Sequence, residues 1–138
     1  MRTGAILAAI LLVGLILRIS YLREIVNEPD FSFPRIDSGC HDYWAHGSAT
    51  GDWSIGDRSD LAGASEIRSI PYMRPPGYPY FLASVYYLTG GRYLAARIFQ
   101  MGLGLVNCVL AYFLGKRLFG RVTGLIFATF MSAYWAFI

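Results

Sequence analysis

Asp37, His41, Arg74 and Tyr78 fall in the one stretch of this chain where carboxylates, imidazoles, an arginine and a dense set of aromatics occur together. The stretch opens with DSGCHDYWA, passes through Gly51-Asp52-Trp53 and closes with RPPGYPY at Arg74–Tyr80. An aspartate just ahead of a helix has two uses. It can cap the exposed N–H groups of the first turn, or its ionised carboxylate can take a proton as a general base. His41, four residues after Asp37, can share its helix face and orient it, or be simply a polar loop residue. Asp42 and His46 form a second pair at the same spacing, expected to be a solvated face. His41 and His46 are five apart and point in different directions, so a two-histidine metal grip is not expected. Arg74 precedes Pro75-Pro76, and its guanidinium can hold two oxygens of a phosphate at once or snorkel to lipid phosphate. Tyr78 and Tyr80 can line a groove or sit in an aromatic belt at headgroup depth.

These groups must be positioned by segments that are almost wholly apolar. Gly4–Leu22 is a 19-residue apolar run interrupted only by Arg18, about 28 Å as a helix at roughly 1.5 Å per residue, enough to cross a bilayer core. Arg18 is expected to snorkel outward, with Tyr21 at the interface. A cleaved signal peptide is the competing reading, but ISYLREIV lacks the small-residue cleavage pattern. Residues 23–34, with Pro29 and Pro34, read as a link. The spacing of Cys40, Tyr43, Trp44 and Gly47 predicts a short helix near 38–49, its aromatic face lying on the membrane surface. Gly51, Gly56 and Gly63 mark 51–69 as a loop. A proline-initiated helix is expected over 76–89, too short to span and rich in tyrosine. Residues 92–115 form the next span, with Gln100 and Asn107 able to bond a neighbouring helix and Gly102 and Gly104 permitting close approach. Residues 116–121 (KRLFGR) read as a basic turn, and 122–138 as a third span cut short by the end of the chain.

Composition agrees with lipid contact. The 138 residues are 55% hydrophobic and only 15% charged, with mean hydropathy +0.42, whereas soluble domains carry about 25% charged residues. All nine acidic residues lie between Glu24 and Glu66, and from Arg92 onward five basic residues stand without an acidic one. The basic residues flank apolar runs and form no single patch, which excludes a nucleic-acid partner. Three of them within Lys116–Arg121 should stay cytoplasmic, which puts residues 23–91 outside. Cys40 in the polar loop and Cys108 in an apolar run are not expected to pair. The fold class read from these features is all-α: a polytopic membrane protein with short juxtamembrane helices in a large first extracytoplasmic loop.

The order of an anchor, Asp37-Ser38 before an aromatic YWA helix, GDW, RPPGYPYFLA and then ARIFQ…LAYFLGKRLFGRVTGLIFA resembles the N-terminal part of the dolichyl-phosphate-mannose-protein mannosyltransferase/ArnT-like family. The resemblance implies a glycosyltransferase of the GT-C type, taking a sugar from a polyprenyl-phosphate donor to a hydroxyl acceptor (a glycan, lipid or protein) with inversion. It implies a chain integral to a bacterial or archaeal cell membrane, with its catalytic loop extracytoplasmic. It also implies that these residues are about the first quarter to third of a longer enzyme. On it, Asp37 is the catalytic base, Arg74 binds the departing phosphate, and Tyr78 and His41 bind substrate. Many members have Asp-Glu where this chain has Asp37-Ser38, and often a tyrosine near His41. No cofactor is required by this reading, and a divalent cation is left open. The competing expectation is a non-catalytic polytopic protein, a transporter part or assembly scaffold, or an inactive fragment. Against the transporter, the ionisable residues are read as sitting in the outer loop and the spans as containing only Gln100 and Asn107, which favours the enzyme.

Overall fold

The computed structural model describes residues 2–34, 36–54 and 75–134, and all regular structure among them is helical. Six helices follow in order: α1 (Arg2–Ile25), α2 (Pro29–Ser32), α3 (Ile36–Thr50), α4 (Gly77–Thr89), α5 (Tyr93–Phe119) and α6 (Arg121–Ala133). The chain is an all-α membrane protein. Among the described residues two stretches are long and apolar enough to cross a bilayer: Thr3–Ile25, with mean hydropathy 2.4, and Tyr93–Phe119, with 1.7. Most of their large side chains, among them Leu12, Val13, Ile16, Leu103, Val106 and Leu110, are exposed. A core helix of a soluble protein would bury such residues; lipid is the solvent that accepts them.

Two compact units make up the chain: Met1–Val26 with Arg97–Ile138, and Asn27–Ala96. In the first unit α1 packs on α6. Arg18, expected to snorkel outward, is instead fully buried. Its Nη1 donates to the Gly14 carbonyl at 2.9 Å and to the Ser132 carbonyl at 3.3 Å. Acceptors inside the unit take its donors. Ser132 lies in the last turn of α6, where a helix leaves its carbonyls without intrahelical donors, and a cation is favoured at that negative end. Gly104 of α5 makes room for the head group, since a Cβ there would come within 3.0 Å of Arg18 Nε.

Helix α5 runs on to Phe119, so Lys116 and Arg117 occupy its last turn and do not lie beyond it. The break is Gly120 alone, whose φ of +95° suits glycine. The close approach of α5 and α6 comes at Gly115 and Gly124; a Cβ on Gly124 would meet the Tyr112 carbonyl at 2.6 Å. Gly102, expected in such a contact, faces open space. Gln100 accepts from Arg97 on its own helix, and Asn107 is exposed. Helix α6 has 13 residues, shorter than a membrane crossing; 135–138 lie outside the described residues.

In the second unit, residues 23–34 are less of a link than expected. α1 continues to Ile25, and Pro29 starts the single turn α2, its fixed φ and missing N–H suiting that position. The main packing is α3 on α4, around Ala45, Leu82, Ala83, Val85, Tyr86 and Ala96. Helix α4 ends at Gly90, whose N–H bonds back to the Tyr86 carbonyl at 2.8 Å.

Candidate active site

At 100° per residue, α3 presents three strips. Cys40, Tyr43, Trp44 and Gly47 form one, at the spacing expected of an aromatic face. That face does not lie open on a membrane surface. Cys40, Tyr43 and Trp44 are buried, and Trp53 folds back over the strip. Trp53 accepts a bond from the Tyr43 hydroxyl at 2.8 Å on its carbonyl, and its ring closes on Gly47 so tightly that any Cβ there would overlap it. The segment after α3 is held by side-chain bonds: Asp52 N–H donates to Thr50 Oγ1 and Ser54 N–H donates to Asp52 Oδ1. The bonds from Ser54 hold the exposed Asp52 carboxyl below its ordinary value.

A second strip, Asp42, Ala45 and Ala49 at i, i+3, i+7, faces α4. Asp42 was expected in a solvated face; it is only 3% exposed. Its Oδ1 accepts from the Tyr86 hydroxyl at 2.7 Å and its Oδ2 from the Tyr93 hydroxyl at 3.1 Å. Two aligned O–H donors supply the solvation that burial removes, which is why a carboxylate is tolerated there. Burial, with the Asp42 charge beside it, pushes the Tyr86 phenol well above its ordinary value near 10.

The third strip, between the buried two, carries Asp37 and His41. Asp37 is exposed in the first turn of α3. His41, half-buried one turn on, meets the ring of Tyr78 edge to face, with centroids 5.2 Å apart and planes at 89°. Tyr78 is 40% exposed in the first turn of α4 and continues to Phe81 at 6.4 Å. Tyr80, more exposed, stands edge-on to Trp44 at 6.2 Å. An exposed carboxylate thus stands on a strip between two packed faces of α3, the same strip that carries the His41 ring and its contact to Tyr78. Of the expected site residues the structure brings His41 and Tyr78 together and puts Asp37 on the same strip; Arg74 lies outside the described residues. No group of three His, Cys, Asp or Glu side chains that could hold a metal ion forms among the described residues.

The segment that holds α4, α5 and α6 is the part with a family signature. Residues 73–138 match the family model for dolichyl-phosphate-mannose-protein mannosyltransferase. The match takes in α4, α5 and α6, somewhat under half the chain, and supports a membrane glycosyltransferase. Comparisons with curated proteins and with solved structures give no match. Asp37 and His41 precede the matched segment; they are tied to it by the packing of α3 on α4.

Sequence reasoning missed Asp42 and Arg18. For Asp42 the signal was present in Ala45 and Ala49, small residues that mark a second close-packed face. For Arg18 it was Gly14, one turn earlier, beside an arginine inside an apolar run. The burial of Arg18 also removes the contrast drawn with transporters, since a charged side chain does sit within a span. Bonds to the Gly14 and Ser132 carbonyls tie it to backbone of its own unit, so it serves helix packing.

Proposed function

We propose that this chain forms part of a glycosyltransferase that moves a sugar from a polyprenyl phosphate to a hydroxyl acceptor outside the cytoplasm. The observation that carries the proposal is the exposed carboxylate of Asp37 on the same strip of α3 as His41, whose ring meets that of Tyr78. In this reaction Asp37 accepts the proton of the acceptor hydroxyl as that oxygen bonds to the anomeric carbon. The bond from that carbon to the phosphate oxygen breaks, and the polyprenyl phosphate leaves with the electron pair. Attack opposite the leaving group inverts the configuration. His41 and Tyr78 flank the sugar, and Arg74 meets the phosphate as its charge grows, help of a kind worth about 3 kcal/mol at such centres.

The test uses the protein from its complete reading frame, reconstituted in lipid with polyprenyl-phosphate sugars. Asp37→Asn keeps the size of an exposed first-turn side chain and gives up at most about 1 kcal/mol of helix-dipole stabilisation, so the helix should persist while turnover falls by roughly a hundredfold or more. Arg74→Lys should retain part of the activity and Arg74→Ala less, both losses appearing in donor kinetics. Near-normal turnover in Asp37→Asn returns that residue to a structural role in the first turn of α3.

A further inference from the structure

The exposed Asp37 and the buried Asp42 lie on one helix, five residues apart, and Asp42 is held by groups from two other helices. Asp42 Oδ1 takes the hydroxyl of Tyr86 from α4, and Oδ2 takes the hydroxyl of Tyr93 from the start of α5. The two tyrosine rings meet edge to face, centroids 6.1 Å apart, so each limits the other's swing. Thr89 and Gly90 close α4 just beyond Tyr86, which keeps the two donors on one side of α3. A rotation of α3 by one residue, 100°, would turn the carboxylate away from both hydroxyls and carry Asp37 off its open strip. The apolar contacts on this face include the alanines Ala45 and Ala49, whose smooth surface resists rotation poorly. Directional bonds do what those side chains cannot.

From this geometry we infer that Asp42 is a positioning residue, a three-helix clamp that sets the rotation of α3 and so the direction of the Asp37 carboxylate. The inference rests on the proposed role of Asp37. A misplacement of about 1 Å at a reacting group can cost about a hundredfold in rate. Asp42→Asn keeps the volume but presents one acceptor oxygen in place of two, and removes the charge from the bond.

The experiment combines steady-state kinetics of the complete enzyme in lipid with the alkylation rate of Cys40. That thiol is 7% exposed on α3, two residues before Asp42, and reports loosening of the helix. Asp42→Asn should lower kcat by about tenfold to a hundredfold with little change in donor KM. Tyr86→Phe should act in the same direction, and the Asp42→Asn/Tyr86→Phe pair should be no worse than Asp42→Asn. Added to Asp37→Asn, Asp42→Asn should cost nothing further, since its effect passes through that base. Tyr93→Phe, which leaves the shorter bond in place, gives a milder version should Asp42→Asn fail to fold. Multiplicative losses in the Asp37→Asn background, or an unchanged kcat in Asp42→Asn, overturn the inference. If Asp37→Asn alone proves fully active, the general-base reading fails instead. The clamp is then judged by Cys40: faster alkylation in Asp42→Asn and Tyr86→Phe, without addition in the pair, supports it, and an unchanged rate overturns it.

Discussion

Replacing Arg18 by methionine separates two effects that oppose each other. Methionine is of similar length, carries no charge and offers no donor. The Gly14 carbonyl loses a bond at 2.9 Å but stays inside α1, where the backbone N–H four residues on serves it. The Ser132 carbonyl, in the last turn of α6, loses its bond from Nη1. Leaving such a buried group unsatisfied costs about 1–3 kcal/mol. The bond is long at 3.3 Å, and hydrogen bonds between membrane helices average only about 0.6 kcal/mol. Loss of the favourable cation at a helix C-terminus adds about 0.3–1 kcal/mol. Together these weaken the docking of α6 by about 2 kcal/mol. Insertion of α1 should meanwhile become easier, because an arginine near the centre of a span costs about 2.5–3.5 kcal/mol on insertion scales. Arg18→Met is therefore expected to insert at least as well as the parent yet unfold more readily. The assay is reversible unfolding in mixed micelles with rising SDS, alongside membrane-fraction yield, with Arg18→Lys expected between the two. Unfolding of Arg18→Met at the parent midpoint would falsify the stapling role.

Two further outcomes follow from the second unit. Tyr86, with its pKa raised by burial and by the Asp42 charge, holds its proton in the folded state. Its contribution is complete below the ordinary tyrosine value near 10 and declines as pH rises above it. The stability difference between parent and Tyr86→Phe should shrink there by at most about 1.4 kcal/mol per pH unit, read from thermal unfolding across pH 8–11; a flat difference contradicts the clamp chemistry. For topology, Cys40 is too buried to serve as a probe, whereas Ser54 is exposed. Ser54→Cys should take up a membrane-impermeant maleimide in intact cells well beyond the parent, and labelling only after permeabilisation puts the loop on the cytoplasmic side.

What could be read from the chain alone was what depends on local pattern. Apolar length marks Thr3–Ile25 and Tyr93–Phe119 as helices long and apolar enough to cross a bilayer, because a helix rises a fixed distance per residue and lipid accepts its exposed side chains. The helices over Ile36–Thr50 and Gly77–Thr89 were legible from aromatic spacing and from prolines that can only begin a helix. The pairing of polar groups across long separations was not legible, since it depends on how helices are rotated against one another. Asp42 meets hydroxyls 44 and 51 residues away, and Arg18 meets a carbonyl 114 residues away. Pattern assigned both to solvent or headgroups, where a charge costs least by itself. Tertiary packing brought donors and acceptors to them, and a charge so matched can be buried.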